Sequence, residues 1–162
     1  MQPTLDISSI SNHYPPMKTD HVVSLVSRIR EQANTLLVAE LAKRGHNGLA
    51  PSHGAILHAL AAHGPMPMSA LAEAIGKQKN TVTTLVGKLE QAGYVLKTPS
   101  HEDSRVTLVS LSAKAVAAGP DFAAISQTLL DAVWGEMPQA EKETLVQGLE
   151  KVLRNISGKA ST

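Results

Sequence analysis

Residues 76–111, GKQKNTVTTLVGKLEQAGYVLKTPSHEDSRVTLVSL, decide the fold of this chain. Val82, Leu85, Val86 and Leu89 recur at i, i+3, i+4 and i+7, the spacing of one buried helical stripe. The opposite face carries Lys79, Asn80, Thr83, Thr84, Gly87 and Lys88, with one acid, Glu90, near its far end. Gly93 supplies the left-handed residue that commonly ends a helix. Beyond it, Tyr94, Val95 and Leu96 are strand formers, and residues 106–111 alternate imperfectly through Val106, Leu108 and Leu111. The polar residues 97–105, which include Pro99, read as the loop of a hairpin.

Working outward, residues 68–75 form a short helix candidate with Leu71, Ala72 and Ile75 inward and Ser69 near its start. Gly76 breaks it, and the second helix begins within a few residues. Two short helices joined by a tight glycine-containing turn are the pattern of a helix-turn-helix, whose second helix enters a DNA major groove; the hairpin would be its wing.

Composition narrows the function classes. The chain of 162 residues is 43% hydrophobic, enough to fill a core, but only 2% aromatic, so Leu, Val, Ile and Ala must build it. That suits packed helices. A net charge of +1 makes no global polycation, yet residues 76–97 hold Lys77, Lys79, Lys88 and Lys97 against Glu90 alone, so basicity is concentrated on the proposed reader. The absence of cysteine excludes disulfides, thiolate metal sites and cysteine redox switches. No apolar run approaches the roughly 18 residues of a membrane span and nothing marks export, so no membrane partner and a cytoplasmic location are expected.

In chain order, residues 1–20 read as an irregular N-terminal arm with Pro3, Pro15 and Pro16. Residues 21–48 hold a long amphipathic helix, its stripe running from Val22 and Leu25 to Leu37 and Leu41, with Asp20 as its cap and Gly45 and Gly48 as its stop. Residues 49–112 form the winged helix-turn-helix, beginning with a helix opened by Pro51 and Ser52 and carrying Ile56, Leu57 and Leu60 inward. Residues 113–158 hold C-terminal helices: one capped by Ser112 and bent at Gly119-Pro120, one begun by Pro138 with a seam of Leu145, Leu149, Val152, Leu153 and Ile156. The expected fold is therefore mainly α with a small β-hairpin, a winged helix-turn-helix core between long end helices. The apolar faces of those end helices exceed what the small core can cover, and pairing them with a second copy in a two-fold homodimer is the economical solution.

The segments Gly48-Leu49-Ala50-Pro51, Leu71-Ala72-Glu73-Ala74-Ile75-Gly76, the run from Asn80 to Val95 and the run from His101 to Ser112 resemble the MarR family of bacterial transcription regulators. The resemblance implies a dimeric repressor that binds a double-stranded, pseudo-palindromic DNA operator and is released by a small aromatic or anionic effector. No nucleophile, base or phosphate loop is assembled anywhere in the sequence, so neither enzyme activity nor a cofactor is expected. Thr84 and Ser104 stand where the family often has basic residues, which lowers the charge at the interface.

On this basis Gln78, Lys79, Asn80 and Thr81 are the candidates for base edges, since an amide can pair with adenine and an ammonium with guanine. Thr83, Thr84 and Lys88 suit phosphate contact. Arg105 resembles the wing arginine that enters the minor groove, with Asp103 to hold it, and Ser100 and His101 at the wing tip. Each has a blander reading: a solvated helix face for Lys79 and Lys88, a structural hairpin pair for Asp103 and Arg105.

The seven histidines give no metal site, because His53, His58 and His63 lie five apart and step round a helix. Ser100, His101 and Asp103 are crowded into one loop and cannot converge on an oxyanion site as a hydrolytic triad would. The resemblance implies a ligand pocket where the first long helix, the Pro51 helix and the Ser112 helix approach the reading head, with His21, Arg28 and His53 as candidate polar groups for an anionic aromatic ligand; their blander reading is as ordinary surface residues or inter-subunit hydrogen-bond partners. The competing function is a winged-helix protein-interaction module without DNA binding, for which Thr84, Ser104 and the near-neutral charge speak weakly.

Overall fold

The computed structural model describes residues 19–158, so the expected arm lies almost wholly outside the described residues. In chain order it contains α1 (Val22–Lys43), a 3-10 turn (Pro51–His53), α2 (Gly54–His63), β1 (Met66–Pro67), α3 (Met68–Ala74), α4 (Lys79–Gln91), β2 (Val95–Pro99), β3 (Thr107–Leu111), α5 (Ala113–Ala117), α6 (Gly119–Trp134) and α7 (Gln139–Ser157). The three strands form one antiparallel sheet in the order β1-β3-β2.

The core follows the apolar stripes of the central elements. Ile56, Leu71, Val82, Val86, Leu89, Val95 and Val109 are buried with no more than 1% of their surface exposed, and Leu57 and Leu60 join them. Val82, Val86 and Leu89 all come from α4, so the stripe read from the sequence is the face on which that helix rests. Gly93 follows α4 with φ +78°, and the backbone reverses there into Tyr94 and β2.

Four details differ from expectation. β1 was not foreseen; its two residues pair Met66 with Val109 and Pro67 with Leu108, which makes β3 the central strand. Val109 is consequently the buried residue of β3, while Leu108 is only half-buried. Lys97, Thr98 and Pro99 belong to β2 instead of the loop, pairing with Val109, Leu108 and Thr107. Proline is tolerated because β2 is an edge strand, where a missing N–H breaks no second ladder. Neither Asp20 nor Ser69 caps a helix: the residue before α1 is His21 and that before α3 is Pro67, and neither cap makes a side-chain bond. Ser112 does cap α5, its Oγ accepting from Ala115 N.

The end helices are unevenly buried. On α1 only Glu40 and Leu41 are buried, and Val22, Leu25, Val26 and Ile29 are exposed. No residue of α7 is buried, and its seam of Leu145, Leu149, Val152, Leu153 and Ile156 faces outward.

Candidate nucleic-acid interface and cavity

The turn between α3 and α4 is closed by backbone bonds from Gly76 N to Glu73 O and from Lys77 N to Ala72 O, with Gly76 at φ +61°. Gln78 is the extended residue before α4, and Lys79, Asn80 and Thr81 form its first turn. All four side chains are exposed. With Val82 fully buried beneath them, they stand at a helix start whose free N–H groups and dipole favour an anion.

Further along, Thr83 and Thr84 are exposed but their hydroxyls donate to Lys79 O and Asn80 O, at 2.9 and 3.1 Å. Donation to a phosphate would require either hydroxyl to leave its helix carbonyl, so acceptance is its ready role. Lys88 is exposed. Lys97 is spoken for: its Nζ lies 2.7 Å from Glu90 Oε2, which removes one lysine and the only acid from the local charge count.

The wing is tied at its base by Ser100 N donating to Val106 O and at its tip by Glu102 N donating to Ser100 Oγ. Asp103 acts differently from expectation. Its Oδ1 accepts from the Arg105 backbone N–H at 2.9 Å, an Asx turn, so it fixes the chain at Arg105 instead of gripping the guanidinium. Arg105 and His101 project into solvent, while Ser100 is half-buried.

The candidate ligand residues separate. A cavity of about 600 Å³ lies between α1, the 3-10 turn with α2, and α5 with α6; Leu41, Leu57, Ala115 and Phe122 line it, and His53 is part of its wall. His21, just before α1, and Arg28, on it, do not line the cavity and are exposed, and His21 Nδ1 lies 3.6 Å from Asp20 Oδ1. His53 Nδ1 accepts from Ala50 N at 3.0 Å, and its Nε2 is buried without a partner. Burial holds the imidazole below its usual pKa, and the nearby Lys88 charge adds to the effect.

One polar cluster was missed in the sequence. His46, just past α1, lies 2.8 Å from the Tyr94 hydroxyl through Nδ1 and 3.0 Å from Asp121 Oδ2 through Nε2, and Phe122 packs on its ring. It joins α1, the end of α4 and α6. The three residues are 48 and 75 positions apart, so only their types were visible beforehand.

Residues 49–107 match the family model described as MarR family. Over those residues the chain is similar to the MarR family. The HTH-type transcriptional regulator SarZ of Staphylococcus haemolyticus is 33% identical over 75 residues, 46% of this chain; the match spans 50% of that relative's length. A likeness in fold extends beyond the matched segment. The PcaV transcriptional regulator from Streptomyces coelicolor, in complex with its natural ligand, superposes with a TM-score of 0.74 at 16% identity, covering 87% of this chain and 97% of that one. A mutant MarR from E. coli complexed with operator DNA gives 0.72 at 18% identity, covering 85% and 99%. At such identities the likeness is one of fold. Among the described residues no helix is long and apolar enough to cross a membrane, and no group of three or more His, Asp or Glu is placed to hold a metal ion.

Proposed function

We propose that this protein is a transcription regulator that binds operator DNA as a homodimer, as a repressor, and releases it when a small molecule occupies the cavity beside His53. The observation that carries the proposal is the division of α4: Val82, Val86 and Leu89 are buried, while Gln78, Lys79, Asn80 and Thr81 are exposed at its start. A helix so divided is rigidly held and presents amides and an ammonium where a reading helix meets base edges. Arg105, on a hairpin whose tip is pinned by Asp103, supplies the guanidinium for a minor groove.

Dimerisation is supported by the apolar faces of α1 and α7, which this chain leaves uncovered. Operator DNA and a bound ligand accompany two proteins of the same fold. The domain division drawn from the sequence fits this division of labour, with residues 49–112 as reader and the segments on either side as the pairing surface.

The test begins by selecting duplexes from a random pool with the full chain. Lys79→Ala and Arg105→Ala should each weaken binding to the selected duplex about tenfold or more, in line with the 1–3 kcal/mol of a good base contact. A variant that loses a phosphate contact should also flatten the salt dependence by about one. Unchanged affinity in both variants, with the fold intact, would remove the mechanism.

A further inference from the structure

The sequence suggested an anionic ligand. The cavity argues for a different chemistry. None of the residues lining it is Lys, Arg, Asp or Glu; the polar side chains in its wall are His53, His58 and Ser126. A carboxylate moved from water into such a wall leaves its solvation behind and finds no counter-charge, a cost far above that of a hydrogen-bonded neutral group.

Two buried routes by which the wall could still offer positive charge are closed by its own hydrogen bonds, and His58, the other imidazole of the wall, is exposed to solvent. The first is protonation of His53. Its Nδ1 accepts the Ala50 N–H, so that nitrogen carries no proton, and the ring is neutral with its single hydrogen on Nε2. Burial and the Lys88 charge both oppose adding a second. The other is the positive end of the helix at Pro51, which lines the same space. There the Ala50 N–H goes to His53 Nδ1, Pro51 has no N–H, His53 N donates to Ala50 O, and Gly54 N donates to Pro51 O. What remains in the buried part of the wall is one side-chain donor without a partner, since His58 and Ser126 are exposed. His53 is 3% exposed and its Nε2–H has no partner, a penalty that a bound acceptor would relieve.

We infer that the cavity takes an uncharged, ring-sized apolar molecule bearing a hydrogen-bond acceptor, such as an aryl ester, ketone or amide, and selects it through the Nε2–H of His53. The inference rests on the proposed role of this cavity as the effector site and narrows its chemistry. The volume of about 600 Å³ falls within the range of small-molecule sites and exceeds what one aromatic ring requires.

The experiment uses the full chain at neutral pH with three probes: methyl benzoate, benzoate and ethylbenzene. Methyl benzoate should raise the melting temperature at concentrations at least tenfold lower than benzoate, and lower than ethylbenzene, which has the ring without the acceptor. In wild-type protein labelled with 15N histidine, methyl benzoate should shift the His53 Nε2 signal, a readout that requires no variant. His53→Phe should erase the advantage of methyl benzoate over ethylbenzene while ethylbenzene still binds. If benzoate binds as well as the ester, if no probe binds, or if the ester binds without moving the His53 signal, the inference is overturned. A preference for benzoate would leave the effector role standing and place the missing cation on the partner subunit; unchanged DNA affinity in Lys79→Ala and Arg105→Ala would remove the DNA role without touching the ligand preference.

Discussion

Asp103 and His53 show how a side chain's type can be visible in a sequence while its job is not. The Asp-x-Arg spacing pointed to a pair, and the pair exists, but the bond runs from carboxylate to backbone N–H. Asp103→Asn keeps an acceptor oxygen for that turn and should hold DNA affinity near wild type, whereas Asp103→Ala should lower it, with circular dichroism unchanged in both; equal loss in both variants would mean that the charge matters. His53 was picked out as polar, yet its burial depends on packing that no local pattern records. Its pKa is lowered by folding, so the unfolded chain takes up the proton first as pH falls below about 6.5, and the stability due to the neutral ring is present above that pH and lost below it. The melting temperature of wild type should therefore drop more between pH 7 and pH 5 than that of His53→Gln; parallel curves would show that the imidazole contributes nothing to the pH response.

At the level of elements, the helix-turn-helix was legible because its signals are local: a 3.6-residue stripe, Gly76 and Gly93 at positive φ, and Ser112 at a cap. The β1 strand was not, since two residues carry no period and Met66-Pro67 becomes a strand only through β3. The same reasoning ranks the central positions. Leu89→Ala should cost about 2–5 kcal/mol, because it opens a cavity among fully buried neighbours. Gly93→Ala has room, with Lys114 Cδ at 3.7 Å as the nearest atom, so its expected loss of about 1 kcal/mol comes from the backbone alone. Urea denaturation of the two variants checks the order, which reverses if steric crowding at Gly93 dominates.

For the whole molecule the decisive feature is a contrast between α4 and α7. Both have an apolar stripe, but that of α4 is buried within the chain and that of α7 is wholly exposed. A sequence shows such stripes equally well in both cases; only the fold reveals which one its own chain leaves uncovered. Leu145, Leu149, Val152, Leu153 and Ile156 on α7, with Val22, Leu25, Val26 and Ile29 on α1, are apolar side chains that their own chain leaves exposed, and clusters of that kind mark interaction surfaces. A second copy would bury it, and two reading heads would then meet half-sites about one helical turn, roughly 10 bp, apart. Because Leu149 is exposed on a helix with no buried residue, Leu149→Asp should leave the central domain folded while driving the protein to monomers in sedimentation velocity. Its affinity for a selected palindromic duplex should fall by orders of magnitude, and its affinity for a single half-site should match that of wild type. A variant that remains dimeric, or a monomer that binds the full palindrome undiminished, would separate pairing from DNA reading in this protein.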